Sequence, residues 1–119
     1  MTQLEQLQAL VSAFCDQRDW AQYHSLKELT IGLSTESNEL LQLLRFKSDE
    51  EILALLKTKP ELIQDELADV FYFLLRIADL YQIDLDGALR SKMIQNEAKY
   101  PIEKSKGKNL KFNELDPGE

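Results

Sequence analysis

A chain of 119 residues, 44% of them hydrophobic, is long enough for one hydrophobic core and predicts a single domain: a core over about residues 2–101, then a Lys-rich tail over about 102–119. The formal charge of −7 and an isoelectric point near 4.7 exclude general binding to a nucleic-acid backbone or to an anionic membrane surface. Cys15 is the only cysteine, so no intrachain disulfide can form, and with neither a signal peptide nor an apolar run of about 18 residues the sequence predicts a soluble, cytoplasmic protein.

Leu4, Leu7, Val11 and Phe14 recur at three- and four-residue steps, which predicts an amphipathic helix from about Thr2 to Arg18. A turn around Asp19 to His24 follows. Ser25 with Glu28 then forms a capping-box pattern that opens a long helix to about Phe46. Ser48 with Glu51 repeats the pattern before a short helix ending near Lys57, and Thr58, Pro60 and Glu61 open a helix to about Tyr81. Asp84 caps a last helix to about Lys99, stopped by Pro101. No alternating strand pattern competes, and the four glycines and three prolines mostly mark element ends. The fold class expected is all-α, a bundle of four main helices.

The 21 acidic residues include four pairs three residues apart, roughly the number that chance placement gives. What separates them is their surroundings. Asp116/Glu119 sits in the polar tail and Asp16/Asp19 ends a helix. Glu36/Glu39 and Glu66/Asp69 instead lie in apolar stripes, the first beside Leu29, Leu33, Leu40 and Leu43, the second beside Leu62, Ile63, Val70 and Phe73. Carboxylates facing a core need cationic compensation, and each pair presents both acids on one face of its helix. Two such helices facing each other would assemble an all-oxygen site suited to Mg²⁺ or Mn²⁺. Zinc would want imidazole or thiolate, and the chain has one His and one Cys. A ferritin-like di-iron site fails because Ala21 stands where Glu should precede His24 by three. The alternative is that the acids pair with Lys or Arg across the bundle.

A cation held by acids alone is completed by an anionic substrate, most often phosphate. Lys92, Asn96 and Lys99 share one face of the last helix, and Lys104, Lys106, Lys108 and Lys111 follow beside Gly107. These residues are either phosphate donors or a solvated basic face.

The motifs together resemble the MazG-like family of all-α nucleoside triphosphate pyrophosphohydrolases, and especially its dCTP pyrophosphatase branch. Arg18-Asp19-Trp20-x-x-Tyr23-His24 looks like that branch's aromatic stretch. Glu36-x-x-Glu39-Leu40 and Glu66-Leu67-x-Asp69-Val70 look like its two metal motifs. Ser91-Lys92-Met93, with Asn96, Lys99, Tyr100 and Pro101, resembles its phosphate-binding helix, so the likeness spans nearly the whole chain in the right order.

The resemblance implies Mg²⁺-dependent cleavage of a nucleoside triphosphate between the α and β phosphates, with Mn²⁺ able to substitute and dCTP-like substrates in range, in a nucleotide-pool house-cleaning role. It implies Glu36, Glu39, Glu66 and Asp69 as metal ligands around an activated water, and Lys92, Asn96 and Tyr100 as phosphate donors. It also implies Trp20, Phe46 and Phe73 as stacking faces for the base, with His24 as an edge donor or acceptor, whereas for each aromatic alone core packing is the commoner role. The branch often has Trp at Phe46, Tyr at Phe73 and His at Val11, so this chain has fewer polar handles for selecting a pyrimidine. A homodimer or a dimer of dimers, with the pocket completed by a neighbouring subunit, is likewise implied. The alternatives are a non-catalytic helical module that binds nucleotides or a partner protein, and a plain oligomeric bundle.

Overall fold

A computed structural model describes residues 1–115, so the tail pair Asp116/Glu119 lies outside the described residues. The all-α expectation holds, and no strand occurs among those residues. Among the described residues six α-helices run in order: α1 (Gln3–Gln17), α2 (Leu26–Leu44), α3 (Asp49–Thr58), α4 (Pro60–Leu80), α5 (Leu85–Lys99) and α6 (Ile102–Ser105). Single 3₁₀ turns lie at Ala21–Tyr23 and Phe112–Glu114.

The described residues fall into two compact units, one over Met1–Ile83 and one from Asp84 onward. In the first, α4 is the central element. It packs most extensively on α2, then on α1, then on α3. Its interior is small: Cys15, Leu29, Leu75 and Ala78 are the buried apolar residues, and Arg76 is buried among them. The α2–α4 contact is close enough to require a glycine. A Cβ on Gly32 would overlap the Phe73 ring, so the missing side chain is what lets that ring lie against α2.

Helix starts follow side-chain caps. Thr2, Ser25, Ser48 and Asp84 each accept a backbone N–H three residues on, satisfying a donor the helix cannot. Among the described residues only Ser48/Glu51 closes a full reciprocal capping box, whereas at Ser25 the box is half made. Thr58 does not open α4: its hydroxyl donates back to the Ala54 carbonyl at 2.9 Å and belongs to α3, leaving Lys59 before Pro60 as the uncapped start. The long helix ends at Leu44 rather than Phe46, because Arg45 is extended and Phe46 takes φ +67°. In the second unit Pro101 precedes the short α6, its carbonyl accepting Ser105 N–H at 3.0 Å.

Candidate metal centre and pocket

The apolar stripes of α2 and α4 bring three of the four predicted acids together. One carboxylate oxygen from each of Glu36, Glu39 and Glu66 lies within 4.8 Å of the others, with Glu36 and Glu66 half-buried and Glu39 exposed. Asp69, one turn along α4 from Glu66, is exposed and stands outside that group. Glu36 Oε2 and Glu66 Oε2 are shielded from solvent and have no hydrogen-bond partner. Within Met1–Ile83 no lysine or arginine lies in ion-pair range of these carboxylates; Arg76, the cation that does pair there, takes Asp16 and Asp79. The cross-bundle ion pairs allowed by the sequence therefore have no partner in this unit.

Like charges gathered without a cation resist ionisation. Burial, then Glu39, Asp69 and Glu66, push the Glu36 carboxyl up to about 7. Burial, then the Glu39 and Asp69 charges, raise Glu66 as well. Shielded lone pairs on an all-carboxylate donor set fit a hard divalent cation, which takes oxygen ligands and supplies the missing positive charge.

Beside these acids opens a cavity of about 530 Å³, a size that suits a small ligand. Leu10, Val11 and Phe14 of α1 line it, as do Trp20 and His24 of the turn, Glu36 of α2, and Asp69, Tyr72 and Phe73 of α4. Its aromatic wall is fixed by edge-to-face contacts: Phe14 meets Trp20 at 5.5 Å and Tyr72 at 6.4 Å, and Tyr72 meets Phe73 at 5.0 Å between ring centroids. Tyr72 also holds its hydroxyl 3.1 Å from Cys15 Sγ, and burial, with that contact, pushes the phenol up to about 12. His24 is half-buried, and burial followed by the Arg76 charge lowers its pKa.

The predicted base-binding residues thus divide. Trp20, His24 and Phe73 share the cavity, whereas Phe46 is 90% exposed beyond the end of α2, its ring capped by the Arg45 guanidinium at 4.4 Å. Phe14 was read in the sequence only as part of an apolar helix stripe, and Tyr72 and Arg76 were not singled out. Helical register would have found the last two, since Tyr72 and Arg76 follow Asp69 by three and seven.

In the second unit, Lys92, Asn96 and Lys99 recur along α5 at the predicted spacing. Lys92 is exposed; Asn96 is half-buried, with Nδ2 donating to Met93 Sδ at 3.8 Å. Tyr100 ends α5 with its N–H on the Asn96 carbonyl at 2.8 Å, and its ring meets Phe112 edge-on at 6.2 Å.

Comparison with known proteins agrees with this picture. Residues 31–115 match the model of the MazG-like family. The chain is 35% identical to dCTP pyrophosphatase 1 of Rattus norvegicus and 32% identical to that of Homo sapiens, in each case over 97% of this chain and 69% of the relative. Among solved structures, a pyrophosphatase from Archaeoglobus fulgidus superposes with a TM-score of 0.80 at 33% identity, covering 85% of this chain and 94% of that one.

Proposed function

This chain belongs to the MazG-like family, and from that premise we propose that it is a nucleoside triphosphate pyrophosphohydrolase that cuts between the α and β phosphates, releasing a nucleoside monophosphate and pyrophosphate. The observation that carries the proposal is three converging carboxylates, without a cation in their unit, at the edge of a nucleotide-sized aromatic cavity.

Glu36, Glu39 and Glu66, with Asp69 beside them, would hold Mg²⁺, with Mn²⁺ as a substitute. When bound, the cation neutralises phosphate charge and makes water more acidic. Water attacks the α phosphorus, the bond to the bridging oxygen breaks with its electron pair leaving on pyrophosphate, and the water's proton passes to a carboxylate of the cluster. Trp20 and Phe73 stack on the base, and Lys92, Asn96 and Tyr100 donate to the phosphate oxygens. dCTP falls within range, and the fewer polar handles at the cavity-lining Val11 and Phe73 broaden it.

The same reading makes residues 1–119 one functional domain and the protein a homodimer or a dimer of dimers in a cytoplasmic house-cleaning role. Leu41 and Phe46, 61% and 90% exposed, support an apolar face for a neighbouring subunit. No helix among the described residues is long and apolar enough to cross a membrane.

The test is product analysis. The protein is incubated with Mg²⁺ and each common ribo- and deoxyribonucleoside triphosphate, with Glu66→Gln as control. Monophosphate plus pyrophosphate, lost in the control, is expected. Diphosphate plus orthophosphate would move the cut site, and tight nucleotide binding with no product from any substrate would make this a binding module.

A further inference from the structure

The cavity's histidine is held by a group that can only donate. Arg76 is 1% exposed, and its Nε donates to His24 Nδ1 at 3.1 Å. Its Nη1 donates to Ser12 Oγ at 3.0 Å, and the Asp16 and Asp79 carboxylates stand 3.7 and 3.9 Å from the guanidinium. Arginine has five N–H donors and no acceptor, so whatever faces Nε must present a lone pair. That excludes the imidazolium and also the tautomer protonated on Nδ1. What is left is a neutral ring with its proton on Nε2.

The surroundings keep the ring in place. The Tyr81 hydroxyl donates to the His24 carbonyl at 2.8 Å, and Trp20 meets the imidazole edge-on at 6.5 Å. Nε2 has no hydrogen-bond partner among the described residues, and His24 lines the cavity. A buried arginine of this kind is weak evidence for stability, because an apolar residue of similar volume often does as well. Its effect on a neighbour's protonation is the stronger reason for it.

Resting on the nucleotide reading above, we propose that Arg76 is a positioning residue that fixes His24 as a permanent Nε2–H donor. The pocket then recognises the nucleobase through an acceptor on its edge, a carbonyl oxygen or ring nitrogen, and disfavours an exocyclic amine at that point. Burial and the Arg76 charge act in the same direction, since both keep the ring uncharged.

His24 is the only histidine, so protein labelled with ¹⁵N-histidine reports this one ring. Long-range ¹H–¹⁵N correlation over about pH 6 to 8, the range where an ordinary histidine titrates, is expected to show an unprotonated Nδ1 and a protonated Nε2 throughout. A protonated Nδ1, or averaged signals from exchanging tautomers, would overturn the proposal. In Arg76→Met the ring is expected to average between tautomers, and the Kd of a non-hydrolysable α,β-methylene deoxynucleotide to rise roughly tenfold, the size of one hydrogen bond. An averaged ring with unchanged Kd would overturn the recognition step. Should Arg76→Met not fold, His24→Phe supplies the same Kd comparison. The tautomer is read without turnover, so the two proposals fail separately: hydrolysis with the wrong tautomer sinks this one alone, and correct tautomer and binding without hydrolysis sink only the enzyme.

Discussion

Helix α4 carries two charged clusters of opposite character, Glu66 and Arg76, ten residues and so about 15 Å apart along its axis. Arg76 is balanced in charge inside its own unit: His24 and Ser12 accept from its Nε and Nη1, and two aspartates stand within 3.9 Å, while its buried Nη2 makes no hydrogen bond. Glu66 is unmatched, since its cluster adds Glu36 and Glu39 of the same sign and leaves two shielded oxygens without partners. Buried charge is tolerated only when compensated, so the first cluster holds something already present and the second is arranged to receive something.

The sharpest way to break this contrast is to neutralise the acids. Glu36→Gln with Glu66→Gln should lower Mg²⁺-dependent pyrophosphate release by about a thousandfold or more, since it removes charge that holds the cation. The same double variant should melt at a higher temperature than wild type in chelator, because like charges are relieved. Lower stability would mean that the acids are structural. Neutralising the other cluster should do the reverse: Arg76→Ala leaves a cavity and removes the donor to His24 and Ser12, so chemical denaturation should show a loss of about 3 kcal/mol.

The two clusters also differ in how far the sequence reveals them. Glu36 and Glu66 stand out because acids in a Leu-rich stripe break a pattern. Arg76, within Phe73-Leu-Leu-Arg-Ile-Ala, breaks the same pattern, yet its partners Ser12, Asp16 and His24 are more than 50 positions away and no local spacing announces them. The helices themselves were legible from period and caps. The misses fall where local chemistry is ambiguous. Thr58 bonds backward instead of forward, and Asp19, Phe46 and Gln82 take positive φ without the glycine that usually marks such a turn. Pro101 ends one helix and begins another, so it reads as a stop alone.

Adding the cation sharpens the comparison from the other side. Mg²⁺ at about a hundred times its Kd should stabilise the folded protein by about 2.7 kcal/mol, visible as a rise in melting temperature. The rise should vanish in the Glu36→Gln, Glu66→Gln variant and survive Arg76→Met, because within Met1–Ile83 the acid cluster has no counter-charge whereas Arg76 has two. A rise of equal size in both variants would place the cation elsewhere.

The smallest effect expected is on pH dependence, where the clusters should act with opposite sign. Glu36 has a folded pKa near 7, above its ordinary 4.5. Between those values the unfolded chain releases a proton that the folded one keeps, so in chelator this group costs stability increasingly as pH rises from about 4.5 to 7. His24 has a folded pKa below its ordinary 6.5, so as pH falls through 6.5 the unfolded chain takes up a proton that the folded one refuses, and stability declines toward acid. Melting curves in chelator should therefore lose the decline between about pH 4.5 and 7 in Glu36→Gln and part of the loss below about pH 6.5 in His24→Phe, by about a few degrees each. Mg²⁺ should flatten only the Glu36 slope between about pH 4.5 and 7, because a bound cation compensates ionised carboxylates and leaves the Arg76–His24 contact as it was. A cation that flattened both slopes would mean that the two clusters are one coupled network along α4, and the division between a holding and a receiving cluster would have to be given up.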